Sequence, residues 1–274
     1  MNPVSEEEGL HSIMNPLLDL LEDYNDKGAI EDQEKEIILF APFTHLSFLE
    51  YYQQLYDAKA WKLGSQGVSR HVSGAHTSEI SPVWLRQLGV TDVLVGHSEV
   101  RGEYEDLIDN AVKGDNYSSY AINSLFNQQI QNAFNHDLRV TYCIGENENQ
   151  KDIGATAEVL ELQMRLALKG QSLVDLADNL IIAYEPRWAI GGGKPIPTHD
   201  EIEQVHTQIR GFAKVAGHPD PEQLRVLYGG SMDPENVRGI MGIQGVNGGL
   251  VGSACLDAEK FSRIVNYRSS SWLY

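Results

Sequence analysis

Two residues that can move protons each follow an apolar stretch of the sequence. Glu185 comes after LIIAY at 180–184 and precedes Pro186, and His97 comes after VLVG at 93–96. A carboxylate held among apolar neighbours at the end of a rigid strand suits a general base, because burial raises its pKa towards neutral pH. Taken alone, Glu185 could be a solvated residue at a strand end, and His97 a structural hydrogen-bonding histidine.

Three glycine-rich stretches also follow apolar runs, at 189–194 (AIGGGK), 229–231 (GGS) and 252–253 (GS). Glycine N–H groups can surround a phosphate where the backbone takes a positive φ. The first stretch is not a Walker loop, because Lys194 is followed by Pro195 instead of Ser or Thr. Each stretch alone could be a tight turn, but their positions at successive strand ends predict a phosphate site.

Seven runs rich in β-forming residues alternate with polar or helical stretches. We predict strands within 36–43, 60–66, 90–99, 138–146, 179–186, 223–231 and 245–254. We predict helices within 45–56, 81–89, 156–170, 199–217, 234–242 and 257–265. This alternation predicts one α/β domain over residues 1–274, with a parallel sheet and crossover helices. The functional residues would then lie at the carboxyl ends of the strands.

Two segments stand outside this alternation. Ser5 and Glu8 match a capping box and are followed by apolar residues at helical spacing, so a helix is predicted to begin there with no strand before it. The stretch 102–122 lengthens the connection after the strand ending at His97, and we predict that it is a loop insertion.

The composition argues against several functional classes. The formal net charge of −18 argues against a nucleic-acid partner. No apolar run approaches the roughly 18 residues of a membrane span, and the acidic first residues do not resemble a secretory signal, so we expect no membrane partner and a cytoplasmic location. Cys143 and Cys255 fit no zinc spacing and no HxH or HExxH pair is present, so we expect free thiols and no metal.

Six motifs together resemble the triosephosphate isomerase family. GAHTSEIS, VLVGHSEVR, YCIGE, AYEPRWAIGGGK, YGGS and GGLVGSACLD follow one another between about residues 36 and 266. The resemblance implies a (β/α)8 TIM barrel, usually a homodimer, that needs no metal or organic cofactor. It further implies the interconversion of dihydroxyacetone phosphate and glyceraldehyde 3-phosphate in glycolysis and gluconeogenesis.

The resemblance also implies roles for individual residues. Glu185 would be the base that moves a proton between adjacent carbons, and His97 the neutral electrophile that polarises the carbonyl. Glu99 and Cys143 would stand behind them, and residues 187–193 would form a lid over the phosphate.

Two further sets of residues follow from the same resemblance. The donors to the phosphate would be Gly191, Ser231, Gly252 and Ser253. The loop at 73–81, with Thr77 and Glu79, would reach into a partner subunit. Val100 stands where the family usually has an arginine that pairs with the glutamate matching Glu79, so we expect a weakened or rearranged dimer.

The sequence departs from the family at its beginning. The family's first strand ends in an Asn-x-Lys-Met-Asn type of motif, and this sequence starts with Met1 and Asn2, so the strand and its catalytic lysine are missing from it. The lysine would place a positive charge beside the developing oxyanion. We favour an incomplete version of a longer enzyme over a non-catalytic phosphate-binding barrel. The changes at Ser253 and Pro195 also leave open an isomerase of a four-carbon ketose phosphate.

Overall fold

The computed structural model describes residues 35–56, 61–111, 117–191 and 194–268. The helix predicted to begin at Ser5 lies outside the described residues.

Seven short strands form one parallel sheet in the order β1 to β7. They are β1 (Ile38–Ala41), β2 (Lys62–Ser65), β3 (Asp92–Val95), β4 (Arg139–Ile144), β5 (Leu180–Tyr184), β6 (Arg225–Tyr228) and β7 (Gly248–Gly249). Each lies within a predicted run, so the seven predicted strands are confirmed. Strands that are consecutive in the chain are neighbours in the sheet, so each connection is a crossover to the next strand.

Helices lie between these strands and after the last one. They are α1 (Phe43–Tyr56), α2 (Pro82–Gln87), α3 (Ser98–Ala111), α4 (Tyr117–Phe134), α5 (Glu148–Asp152), α6 (Thr156–Ala167), α7 (Leu173–Asp178), α8 (His199–Val215), α9 (Val237–Ile240) and α10 (Ala258–Val265). Short 3-10 helices occupy Arg187–Ala189, Pro221–Gln223 and Ser253–Leu256. Within the described residues, no helix has the length and apolar character needed to cross a membrane.

The prediction of a loop at 102–122 is wrong wherever the structure describes that stretch. Residues 102–111 belong to α3, and residues 117–122 belong to α4. Tyr104, Ile108 and Ile122 all pack with the main hydrophobic core, and the ring of Tyr104 lies 6.1 Å from that of Phe126. Burial of these few apolar side chains stabilises helices in a stretch whose overall composition is polar.

Neighbouring residues of a strand point to opposite faces of the sheet. In β4, Tyr142 packs in the large core between the sheet and the helices. Its neighbour Cys143 packs instead with Leu94 of β3 and Ala183 of β5 on the other face. One face of the sheet therefore packs against the helices, and the other face forms a second, smaller hydrophobic core.

Contacts between distant strands show that the sheet is strongly curled. Glu36, just before β1, lies 2.8 Å from Arg225 of β6 and 3.0 Å from Arg139 of β4. In a flat sheet, five strand spacings would separate β1 from β6 by roughly 24 Å. The sheet therefore bends round as a barrel does. Among the described strands, no ladder joins β7 to β1.

Candidate active site

His97 follows β3 after a turn that only glycine accommodates. Gly96 has a φ of 75°, and a Cβ at that position would lie 2.9 Å from the ring of Tyr142 and 3.0 Å from the carbonyl oxygen of Cys143. The chain passes directly from this turn into α3, which begins at Ser98. His97 is therefore held between the end of a buried strand and the first turn of a helix.

Glu185 follows β5 and is enclosed by two glycines from the neighbouring strand ends. A Cβ at Gly145, after β4, would lie 1.7 Å from the carbonyl oxygen of Glu185, and a Cβ at Gly229, after β6, would lie 2.8 Å from its Cγ. Only 3% of Glu185 is exposed. The carboxylate thus occupies a space that glycines on both sides keep open.

The structure brings the two predicted catalytic residues into contact. His97 Nε2 lies 3.2 Å from Glu185 Oε1. The Ser98 N–H donates to Glu185 Oε2 at 2.8 Å, and the Ser98 hydroxyl donates to Oε1 at 3.2 Å. Ser98 is a site residue that the sequence reasoning missed, although it lies inside the VLVGHSEVR motif and at the predicted strand end.

The surroundings of Glu185 favour a base. Burial raises the pKa of Glu185, and the neighbouring His97 and the hydrogen bonds from Ser98 partly oppose that rise. A carboxylate with a raised pKa holds a proton more strongly, which is what proton abstraction from carbon requires. Cys143 is fully buried on the inner face of the sheet, between Leu94 and Ala183. Burial, with the nearby Glu185 charge, raises the pKa of the Cys143 thiol well above its usual range, so the thiol stays neutral.

Glu99 lies at the rim of the site. Its side chain is 83% exposed, and its Oε2 lies 3.9 Å from His97 Nδ1. The Glu99 backbone N–H donates to the same Nδ1 at 3.5 Å. Since Nδ1 accepts a hydrogen bond, the ring proton is placed on Nε2, which faces Glu185. Among the described residues, His97 is the only basic side chain at ion-pair distance from Glu185 or Glu99.

The segment after Glu185 is hydrogen-bonded, through Trp188, to the buried carboxylate of Glu146. Trp188 Nε1–H donates to Glu146 Oε1 at 2.7 Å, and the Tyr184 hydroxyl donates to the same oxygen at 3.1 Å. Lys151 Nζ lies 4.9 Å from the centre of the Trp188 ring and 2.9 Å from Glu201 at the start of α8. Sequence reasoning missed these contacts, although YCIGE carries Glu146.

Comparison with known proteins identifies the family. A profile described as triosephosphate isomerase matches residues 13–268. The chain belongs to the triosephosphate isomerase family. The triosephosphate isomerase of Caldanaerobacter subterraneus subsp. tengcongensis is 35% identical over 238 residues, which cover 87% of this chain and 88% of that protein. That of Finegoldia magna is 36% identical over 233 residues, covering 85% of each.

A solved structure of this family has the same fold. The crystal structure of triosephosphate isomerase from Bartonella henselae matches with a TM-score of 0.74 and 26% identity, covering 98% of this chain and 96% of that one. The predicted family and TIM-barrel fold are therefore confirmed.

The predicted phosphate donors of this family member lie on three strand-end segments. Gly191 has a φ of 107°, and no described atom apart from its chain neighbours lies within 4 Å of its Cβ position. Residues 192–193 of the predicted lid lie outside the described residues. The Ser231 hydroxyl donates to the carbonyl oxygen of Ala189 at 3.3 Å, which joins the segment after β6 to the segment after β5. Gly252 and Ser253 are exposed just after β7, at the start of a 3-10 helix.

The segment predicted to contact a partner subunit projects from this chain. Thr77 and Glu79 are exposed, and the Ser81 hydroxyl donates to the Val72 carbonyl oxygen at 2.6 Å, which closes the base of the loop. In the part of the chain that the structure describes, no group of three or more His, Cys, Asp or Glu side chains could hold a metal ion.

Proposed function

We propose that this protein interconverts dihydroxyacetone phosphate and glyceraldehyde 3-phosphate by proton transfer through an enediolate. The observation that carries the proposal is the 3.2 Å separation of Glu185 Oε1 and His97 Nε2 at the carboxyl ends of two parallel strands. Two groups so close can act on adjacent atoms of one small substrate. Relatives at 35% and 36% identity carry the name triosephosphate isomerase.

In this proposal Glu185 is the base. Its carboxylate takes a proton from the carbon beside the carbonyl, and the C–H electron pair becomes the new C=C bond while the carbonyl oxygen takes the negative charge. Glu185 then returns the proton to the neighbouring carbon. Because both carboxylate oxygens accept hydrogen bonds from Ser98 in this structure, Glu185 must leave these donors to reach the substrate.

His97 is the electrophile in this proposal. Its Nε2–H donates to the substrate oxygen as negative charge develops there, and a donor fixed in advance stabilises that charge. Transfer of this proton to one substrate oxygen and recovery of a proton from the other completes the isomerisation. The Nδ1 contact with the Glu99 N–H supports this assignment, since it leaves the proton on Nε2.

The phosphate and dimer assignments belong to the same proposal. We infer that the substrate phosphate is held by N–H and hydroxyl groups of Gly191, Ser231, Gly252 and Ser253. We infer also that the exposed loop with Thr77 and Glu79 contacts a second copy of the chain in a homodimer.

One observation favours a second candidate, a barrel that binds a phosphate ester without turnover. Among the described residues, only His97 is a basic side chain at ion-pair distance from Glu185 or Glu99, and Glu99 is 83% exposed. A site with no further cation would bind the same ligand but stabilise the enediolate less.

The test is an isomerisation assay on the purified full chain with triose and tetrose ketose phosphates. We expect turnover of the triose phosphate that Glu185→Gln and His97→Gln each reduce by at least about 10²-fold. Glu158→Gln and His199→Gln, at exposed positions, are the matched controls and should keep full activity. Binding of the triose phosphate without turnover would support the second candidate, and turnover of the tetrose phosphate alone would redirect the substrate assignment.

A further inference from the structure

An ion pair joins the residue after Pro186 to helix α3. Arg187 Nη2 lies 2.8 Å from Glu105 Oε2, and Arg187 Nη1–H donates to Oε1 at 3.1 Å. The two side chains are only 16% and 26% exposed, respectively. The planar guanidinium therefore meets both carboxylate oxygens in a fork, a geometry that fixes orientation as well as distance.

Helix α3 also binds the side chain of Glu185, the residue two positions before Arg187 in the chain. Ser98, the first residue of α3, donates twice to the Glu185 carboxylate. Glu105 is seven residues later, and residues separated by two helical turns lie on one face. One face of α3 thus contacts Glu185 at the first residue of the helix and the start of the 187–191 segment near the middle of the helix.

The surroundings of Arg187 hold it from two directions. Its backbone N–H donates to the carbonyl oxygen of Glu146 at 3.1 Å. Gly102 of α3 lies beside the guanidinium, and a Cβ there would be 3.5 Å from Nη2. The backbone and the side chain of Arg187 are therefore fixed separately, one to the end of β4 and one to α3.

We propose that Glu105 and Arg187 are positioning residues, which fix the start of the 187–191 segment against α3 and so set the backbone position from which the Glu185 side chain moves to the substrate. Pro186, which restricts the backbone between Glu185 and Arg187, transmits the position of one to the other. Neutralising either member leaves a charged group mostly shielded from water without its partner. That group then turns towards solvent, and the segment loses its anchor.

The first test is amide hydrogen exchange of the full chain without substrate. Glu105→Gln and Arg187→Gln should each speed exchange at residues 188–191 by about fivefold, the effect of losing a half-buried forked pair. Arg187→Lys, which keeps the charge but not the fork, should give a smaller increase. The exchanged pair Glu105→Arg with Arg187→Glu should restore most of the protection.

Glu103→Gln is the matched control, because Glu103 is an exposed neighbour on α3 that contributes no ion pair to Arg187. It should leave exchange at 188–191 unchanged. The proposal is overturned if Glu105→Gln behaves like Glu103→Gln. It is overturned equally if exchange rises uniformly along the chain, which would indicate general destabilisation.

A second test rests on the proposed function. With the triose phosphate, Glu105→Gln should lower kcat by about fivefold through Glu185, and it should also raise KM, because the predicted phosphate donor Gly191 lies in the segment that loses its anchor. An inactive wild-type chain would refute the proposed function but not the anchor, which the exchange measurement decides alone. An unchanged kcat together with faster exchange would overturn the link to Glu185.

Discussion

Replacing Gly229 with alanine should disable the site although neither predicted catalytic residue is altered. The new Cβ would lie 2.8 Å from Glu185 Cγ and 3.1 Å from the Tyr184 carbonyl oxygen. Carbon atoms in contact prefer about 3.5–4.0 Å, so the Glu185 side chain must move by about 1 Å. The new methyl group cannot itself move away from Glu185, because the Tyr184 carbonyl oxygen also contacts it.

The size of the effect follows from that displacement. Moving a reacting group by about 1 Å can lower the rate by about 10²-fold. Overpacking of this kind also costs about 1–3 kcal/mol of unfolding free energy. We therefore expect kcat to fall by about two orders of magnitude while KM changes little, since no predicted phosphate donor is displaced.

The assay combines steady-state kinetics with denaturant unfolding. Gly211→Ala is the control, because Gly211 lies inside α8 and, among the described residues, no atom outside its own helix backbone and chain neighbours lies within 4 Å of its Cβ position. That variant should be more stable by about 0.5–1 kcal/mol and fully active. If Gly229→Ala keeps the wild-type kcat, the assumed tight fit around Glu185 is incorrect.

Three predictions concern stability. Burial lowers the pKa of His206 to about 4 from 6.5, so the neutral imidazole contributes to the free energy of unfolding above pH 6.5. As the pH falls from 6.5 towards 4, the unfolding free energy measured in urea should drop by about 3 kcal/mol. His206→Asn should abolish this pH dependence. Burial raises the pKa of Glu36, but its hydrogen bonds to Lys62 and Arg139 outweigh this and lower it to about 2 from 4.5. Because the Glu36 side chain is 28% exposed and screened, Glu36→Gln should cost about 1 kcal/mol at pH 7, and the difference from wild type should vanish as the pH falls from 4.5 to about 2. Thr198→Ala should cost about 1 kcal/mol by removing the N-cap of α8, measured by thermal unfolding.

Each of these has an outcome that contradicts it. A His206→Asn variant with the wild-type pH dependence would show that this histidine titrates normally. Equal stability of Glu36→Gln and wild type at pH 7 would mean that the ion pairs around it contribute nothing. An unchanged melting temperature for Thr198→Ala would show that the hydrogen bond from the Glu201 N–H to the Thr198 hydroxyl is not needed.

Much of the fold and the central pair could be predicted from sequence for one physical reason. Apolar β-rich runs that alternate with helices form a parallel sheet, and the carboxyl ends of such strands meet at one edge. His97 and Glu185, each just past a strand end, were therefore expected together, and they are 3.2 Å apart.

What could not be predicted depends on contacts between distant parts of the chain. The partner of Trp188 is Glu146, and the partner of Arg187 is Glu105, 82 residues earlier in the sequence. Charged residues are common on helix surfaces, so no local pattern distinguishes Glu105 from the exposed Glu103. Tyr104 likewise lies in a polar stretch, and its packing on Phe126 becomes visible only once α3 and α4 are in place.

The most direct test of the central claim is isomerisation of the triose phosphate in deuterated water, followed by proton NMR. If Glu185 moves the proton between adjacent carbons, the wild-type chain should introduce solvent deuterium at the carbon that receives it, and Glu185→Gln should introduce almost none. His97→Gln should slow the introduction of deuterium strongly. Equal deuterium content in the products of wild type and Glu185→Gln, formed at equal rates, would contradict the assignment of Glu185 as the base.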